Sequence, residues 1–159
     1  MTTPSSLAHR IREVLLNGKW IANTNFKDQL ETVTFLEANH RIDNLNTIAL
    51  LTFHINYYLK GLIQVFDGGK LDIKDQYSFD MPAINNDDDW NQLKNEFLQN
   101  AELFAQKLEQ MSEADLHGPF VDERYGTYAR NIEAVIEHSY YHLGQVVLIR
   151  KILSSNFDI

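Results

Sequence analysis

Thr127-Tyr-Ala-Arg-Asn-Ile-Glu-Ala-Val-Ile-Glu-His-Ser-Tyr-Tyr-His-Leu-Gly-Gln-Val-Val-Leu-Ile-Arg-Lys-Ile-Leu153 is the longest uninterrupted helical pattern in the chain. Ile132, Val135, Ile136, Leu143, Val146, Val147 and Leu153 recur at intervals that place them on one helix face. No proline breaks the stretch. It predicts a long amphipathic helix over about Thr127–Leu153, and an amphipathic helix needs other elements to cover it.

Working outward, three more segments supply partners. Ser5 or Ser6 can cap a first helix bearing Leu7, Ile11, Val14 and Leu15, which ends near Asn17-Gly18. A second helix is expected from about Asp43 to Phe66, with Ile48, Thr52, Ile55, Leu59, Leu62, Ile63 and Phe66 in one stripe and Asp67-Gly68-Gly69 as its stop. A third starts after Asp87-Asp88-Asp89 and carries Trp90, Leu93, Phe97, Phe104 and Leu108 to Met111. The three acids suit a helix start, where they complement the macrodipole. Residues 18–42 contain a short helical stretch (Phe26–Leu30 and Phe35–Ala38), residues 67–86 look irregular, and residues 112–126 turn around Gly118-Pro119. Four long amphipathic helices predict an all-α four-helix bundle, and residues 1–159 read as a single domain. Connections this long imply that at least one crosses a bundle end or covers a site.

Composition narrows the partners. Hydrophobic residues at 44% and charged residues at 23% describe a globular chain rather than a disordered one. Fourteen basic against 22 acidic residues, a net charge of −8, is the wrong balance for phosphate backbones or anionic membrane surfaces. The chain has no cysteine, which excludes disulfides, thiolate ligands and a cysteine nucleophile. The N-terminus lacks a signal-peptide core, and no apolar run approaches the ~20 residues a membrane span needs. A cytoplasmic, soluble protein is expected.

Six histidines remain to be placed: 9, 40, 54, 117, 138 and 142. His138 and His142 stand one turn apart on the last helix, where two imidazoles can converge on one metal. Spacing alone is weak, because six randomly placed histidines supply such a pair with a probability on the order of 0.2. The face says more. At ~100° per residue from Ile132, both lie roughly 80–120° to one side of the apolar stripe, beside Asn131, Gln145 and Ile149. On the second helix, His54 and Tyr58 lie at about −120° and −80° from Ile48, on the matching side of that stripe. Two facing helices can therefore bring His54, His138 and His142 together. Taken singly, each histidine is more often a hydrogen-bonded or half-exposed residue than a ligand. His9 lies opposite its helix's apolar face, and His40 and His117 sit in connections; all three read as surface residues. Glu137 does not complete a zinc-hydrolase motif, because there the glutamate follows the first histidine, and Glu137 points about 100° away from it. No carboxylate base is visible on the histidine face.

Ile136-Glu-His-Ser-Tyr-Tyr-His-Leu-Gly-Gln145 resembles the closing-helix signature of the DinB-like superfamily, which includes the YfiT-type proteins. Leu50-Leu-Thr-Phe-His-Ile-Asn-Tyr-Tyr-Leu59 is similar to its other metal-bearing helix, and Asn17-Gly-Lys-Trp20 with the stretch to Glu37-Ala38 resembles one branch. The resemblance implies an antiparallel four-helix bundle with long crossover connections, often a homodimer, holding nickel or zinc. It maps the metal ligands onto His54, His138 and His142.

Three imidazoles leave coordination positions free, as in catalytic zinc sites, and they suit zinc, nickel, iron or copper alike. Each ligating imidazole needs an acceptor for its other N–H, and Gln145, Asn131 and Tyr58 lie on the right faces to help. Tyr58 and Tyr141 serve equally well as packing. The expected function is a metal-dependent transferase or hydrolase acting on a small molecule. Relatives in the resembled family include low-molecular-weight-thiol S-transferases, in which metal activates the thiol. The working group would then be a metal-bound water or thiol, with no side-chain base. The alternatives are a non-catalytic metal-binding or stress-response protein, and a dimeric bundle whose histidines merely pack.

Overall fold

The structure is a computed structural model describing residues 2–157. Seven α-helices are present among these residues: α1 Pro4–Arg12, α2 Phe26–Glu31, α3 Phe35–Asn39, α4 Ile48–Phe66, α5 Asp87–Gln110, α6 Glu113–His117 and α7 Tyr128–Phe157. The only β feature among them is an isolated bridge between Pro119 and Thr127. None of the helices is long and apolar enough to cross a membrane.

Local chemistry sets most boundaries. Helix α1 is capped by Thr3 rather than by Ser5 or Ser6; its side chain accepts from the Ser6 amide while the Ser6 hydroxyl faces back to the Thr3 backbone. A π-helical turn, Glu13–Asn17, extends α1 to the expected stop. Helix α4 begins at Ile48, not at Asp43. Asp43 has φ +46°, a left-handed conformation that no helix interior accepts, and the Thr47 side chain caps the true first turn. In α5 the three aspartates form the first turn itself, behind the Asn86 cap. Helix α7 runs past Leu153, where the Ser154 and Ser155 hydroxyls bond the carbonyls one turn back.

Helix α5 packs against both α1 and α4, and α7 touches α4 and α1, with one apolar core among them. Leu7, Ile11, Leu51, Leu59, Phe97, Phe104 and Val146 are fully buried there. The rings of Phe26 and Phe97 lie 5.4 Å apart, and Phe66 stacks on Phe104 at 5.2 Å. Each such side chain stabilises the fold by about 1.5–3 kcal/mol relative to exposure. Trp90 on α5 is buried and donates its indole N–H to the Val33 carbonyl at 2.8 Å, tying α5 to the turn between α2 and α3.

The segment between α4 and α5 returns along α4. Its side of that helix carries Gly61, and a Cβ there would run into the Ile73 side chain. The Tyr57 hydroxyl both donates to the Lys74 carbonyl (3.1 Å) and accepts from the Lys74 amide (2.9 Å). A short 3-10 turn, Asp75–Tyr77, follows and delivers Ser78 and Phe79 to the middle of α4.

Candidate metal centre

His54 sits in the middle of α4, and His138 and His142 sit one turn apart on α7. Their ring nitrogens converge. His54 Nε2 is 3.1 Å from His138 Nε2, and His138 Nε2 is 2.8 Å from His142 Nε2. All three nitrogens lie within 4.8 Å of one another, with His54 and His142 buried and His138 half-buried.

The outer nitrogens decide how the inner ones are presented. A carbonyl oxygen only accepts, so the Ser78 carbonyl, 3.2 Å from His54 Nδ1, requires that nitrogen to carry the proton. The same logic applies to Gln145 Oε1, 2.6 Å from His142 Nδ1. Both rings therefore turn unprotonated Nε2 lone pairs toward His138. One N–H on His138 Nε2 can satisfy one of these lone pairs at a time. Such an excess of lone pairs over protons is what a cation resolves. Donors around a tetrahedral ion at ~2.0–2.1 Å stand about 3.3 Å apart, near the 3.1 Å and 2.8 Å that separate His138 from His54 and His142. The residues fit a divalent transition metal.

Electrostatics keeps the rings neutral. Burial pulls His54 down to about 4, against a weaker upward push from the Ser78 hydrogen bond. Burial, then the neighbouring His142 and His54, bring His138 down to about 4. His142 is lowered by burial in spite of Gln145. Neutral imidazoles are the form that ligates metals.

The expected supporting residues divide. Gln145 bonds an imidazole. Tyr58 does not: its hydroxyl donates to Asp75 Oδ1 at 2.9 Å, while its ring edge packs on His54 (5.1 Å) and His138 (5.4 Å). Asn131 also reaches no imidazole, because its amide donates to the Tyr125 and Thr127 carbonyls at the start of α7. Glu137 is exposed, 3.7 Å from Arg130. His9, His40 and His117 are exposed; His9 pairs with Glu13, and His117 bonds the Thr2 carbonyl.

Three contributors come from the connection between α4 and α5, where no helical period exists to reveal them. Ser78 supplies its carbonyl. Phe79 stacks on His54 with centroids 4.0 Å apart and planes 9° from parallel. Asp75 brings a carboxylate to a site whose helices offer none, and its charge opposes only weakly the lowering that burial imposes on His54 and His138. The length of that connection was the only signal for them.

A cavity of about 320 Å³ opens beside His138. Leu62, Leu71, Ile73, Phe120 and Val135 line it, with Tyr58, Asp75 and Asn131 as polar groups on its walls. A mostly apolar cleft with few convergent polar groups is the usual form of a small-molecule site.

A family model described as the DinB superfamily matches residues 22–146, a span that holds all three histidines. No curated protein and no solved structure matches the chain.

Proposed function

Because the chain belongs to the DinB superfamily, we propose that His54, His138 and His142 hold one divalent transition metal, zinc or nickel, for transferase or hydrolase chemistry on a small molecule. The observation that carries this reading is the convergence of three neutral imidazole nitrogens beside a cavity. Bound there, the cation supplies Lewis acidity that lowers the pKa of a low-molecular-weight thiol or of water. Ser78 and Gln145 hold the tautomers that present Nε2, and Phe79 shields one face of His54 from water. The Tyr58–Asp75 pair stands on the cavity side of the rings, where it can exchange a proton with a bound substrate.

The thiol S-transferase is the variant we favour, since three protein ligands leave coordination positions for a thiol and a substrate. It requires a reducing compartment, and we place the chain in the cytoplasm on that ground. We further read α1, α5, α4 and α7 as an antiparallel bundle with long crossover connections, assembled as a homodimer.

Elemental analysis of the purified protein tests the metal reading. About one divalent metal per chain is expected, and His142→Ala should lose it. Full metal content retained in that variant would overturn the three-histidine site. Metal-dependent conjugation of an electrophile to a common thiol tests the chemistry. A metal-loaded protein that turns over no thiol and hydrolyses no ester or amide would instead be a non-catalytic metal-binding protein.

A further inference from the structure

Helix α7 turns an apolar stripe to solvent. Tyr141 and Leu148 are 64% and 54% exposed, and among the described residues no other long helix bares a large apolar side chain by more than half. Between these two stands Gly144. Glycine disfavours a helix interior, yet nothing inside the chain requires one there: a Cβ at that position would meet no atom within 4 Å. A helical glycine with empty space before it suits the close approach of a backbone from outside the chain.

The stripe is also self-complementary. At ~100° per residue, Tyr141 and Leu148 fall about 60° and 40° to one side of Gly144. The half-buried Tyr140 and Val147 fall about 40° and 60° to the other side. Glu137 and Lys151, both exposed, lie two turns before and two turns after Gly144, within about 20° of it.

We propose that α7 docks antiparallel on α7 of a second copy of this chain, about a two-fold axis passing beside Gly144. Residues equally far before and after Gly144 then face one another across the axis. Tyr141 packs on Leu148 of the second copy, Tyr140 meets its Val147, Glu137 reaches its Lys151, and each contact occurs twice. A parallel pairing would instead set Glu137 on Glu137 and Lys151 on Lys151. The two glycines let the backbones approach at the centre, where the larger side chains on either side can interlock. The inference rests on the homodimer of the proposed function and gives that dimer its interface.

Contact along one helix is small beside the ~800 Å² per partner of a standard interface, so sedimentation equilibrium is run on the full-length protein up to about 100 µM. A dimer is expected. Gly144→Arg sets two like charges and two long side chains on the axis, and it should leave a monomer of unchanged helix content, because the position is open within one chain. Glu137→Lys should weaken the dimer at least about threefold, and adding Lys151→Glu should restore it. The chain has no cysteine of its own, so Gly144→Cys should link two copies under mild oxidation, whereas Leu103→Cys on α5 should not. A monomer in the unaltered protein would overturn the homodimer and this interface together. A dimer that persists in Gly144→Arg, ignores the charge exchange, or links more readily through Leu103→Cys than through Gly144→Cys would overturn the α7 interface alone.

Discussion

Between α1 and α5, the Arg12 guanidinium bonds the carboxylates of Glu102 and Glu109 at 2.5–3.2 Å, at the edge of a seam otherwise packed with apolar side chains. Between α4 and α7, three imidazoles face one another, and among the described residues no carboxylate is bonded to any of them. The first seam meets each charge with an opposite one near solvent, where such pairs contribute little. The second buries nitrogen donors and supports only their outer edges. The two seams thus treat polar groups differently. Those between α1 and α5 are mutually satisfied, while at the candidate centre His54 and His142 are held by their outer nitrogens and turn the inner ones toward His138.

The largest effect should come from the apolar core that α5 carries beside the first seam. Phe97→Ala removes a fully buried ring packed on Phe26 and should cost about 3–5 kcal/mol, read as a lower urea midpoint. In metal-free protein His142→Ala should cost far less; an equal loss would erase the contrast. Next comes the outer edge of the centre. Gln145→Leu removes the acceptor for His142 Nδ1 and should weaken metal binding by about 10–100-fold while leaving the metal-free melting temperature nearly unchanged.

A pH series sharpens the contrast without any mutation of the core. His54 and His138 titrate at about 4 in the folded chain, below the unfolded histidine value of 6.5. The unfolded state therefore binds more protons between those limits, and stability of the metal-free protein must fall as pH drops from about 6.5 toward 4. Glu102 is lowered by its Arg12 hydrogen bond, so its contribution is lost only as pH falls below the ordinary carboxylate value of 4.5. Urea midpoints at pH 7 and pH 5.5 isolate the histidines, and a His54→Ala/His138→Ala chain should lose most of the difference. The smallest effect belongs to the surface. Lys60→Met removes the exposed pair with Glu96 on the α4–α5 seam and should shift stability by no more than about 1 kcal/mol.

The side of each helix that carries its histidines is readable from the sequence, because a 3.6-residue period fixes direction around an axis. His54, His138 and His142 meet where those flanks face each other, and Gln145 lies three residues past His142, within reach on the same flank. What the period cannot show is anything contributed by a segment without one. Asp75, Ser78 and Phe79 reach the centre along a path set by Tyr57, Tyr58 and packing against α4, which no local pattern encodes. The start of α4 was misplaced at Asp43, whose left-handed backbone lies outside the helix, although the apolar stripe itself begins with the helix at Ile48. Helix α6 was missed because five residues are too few for a period, although Ser112 and Asp115 form a readable cap.

Gly61 lies two turns beyond His54 and touches none of the three rings. Its missing methyl group is nonetheless what lets Ile73 lie against α4, and with it the strand of chain that ends in the Ser78 carbonyl. A side chain at position 61 would collide with Ile73, so something in that contact would have to give. A drift toward alanine or larger residues there would leave every histidine in the sequence intact while disturbing the packing of the segment that leads to the Ser78 carbonyl.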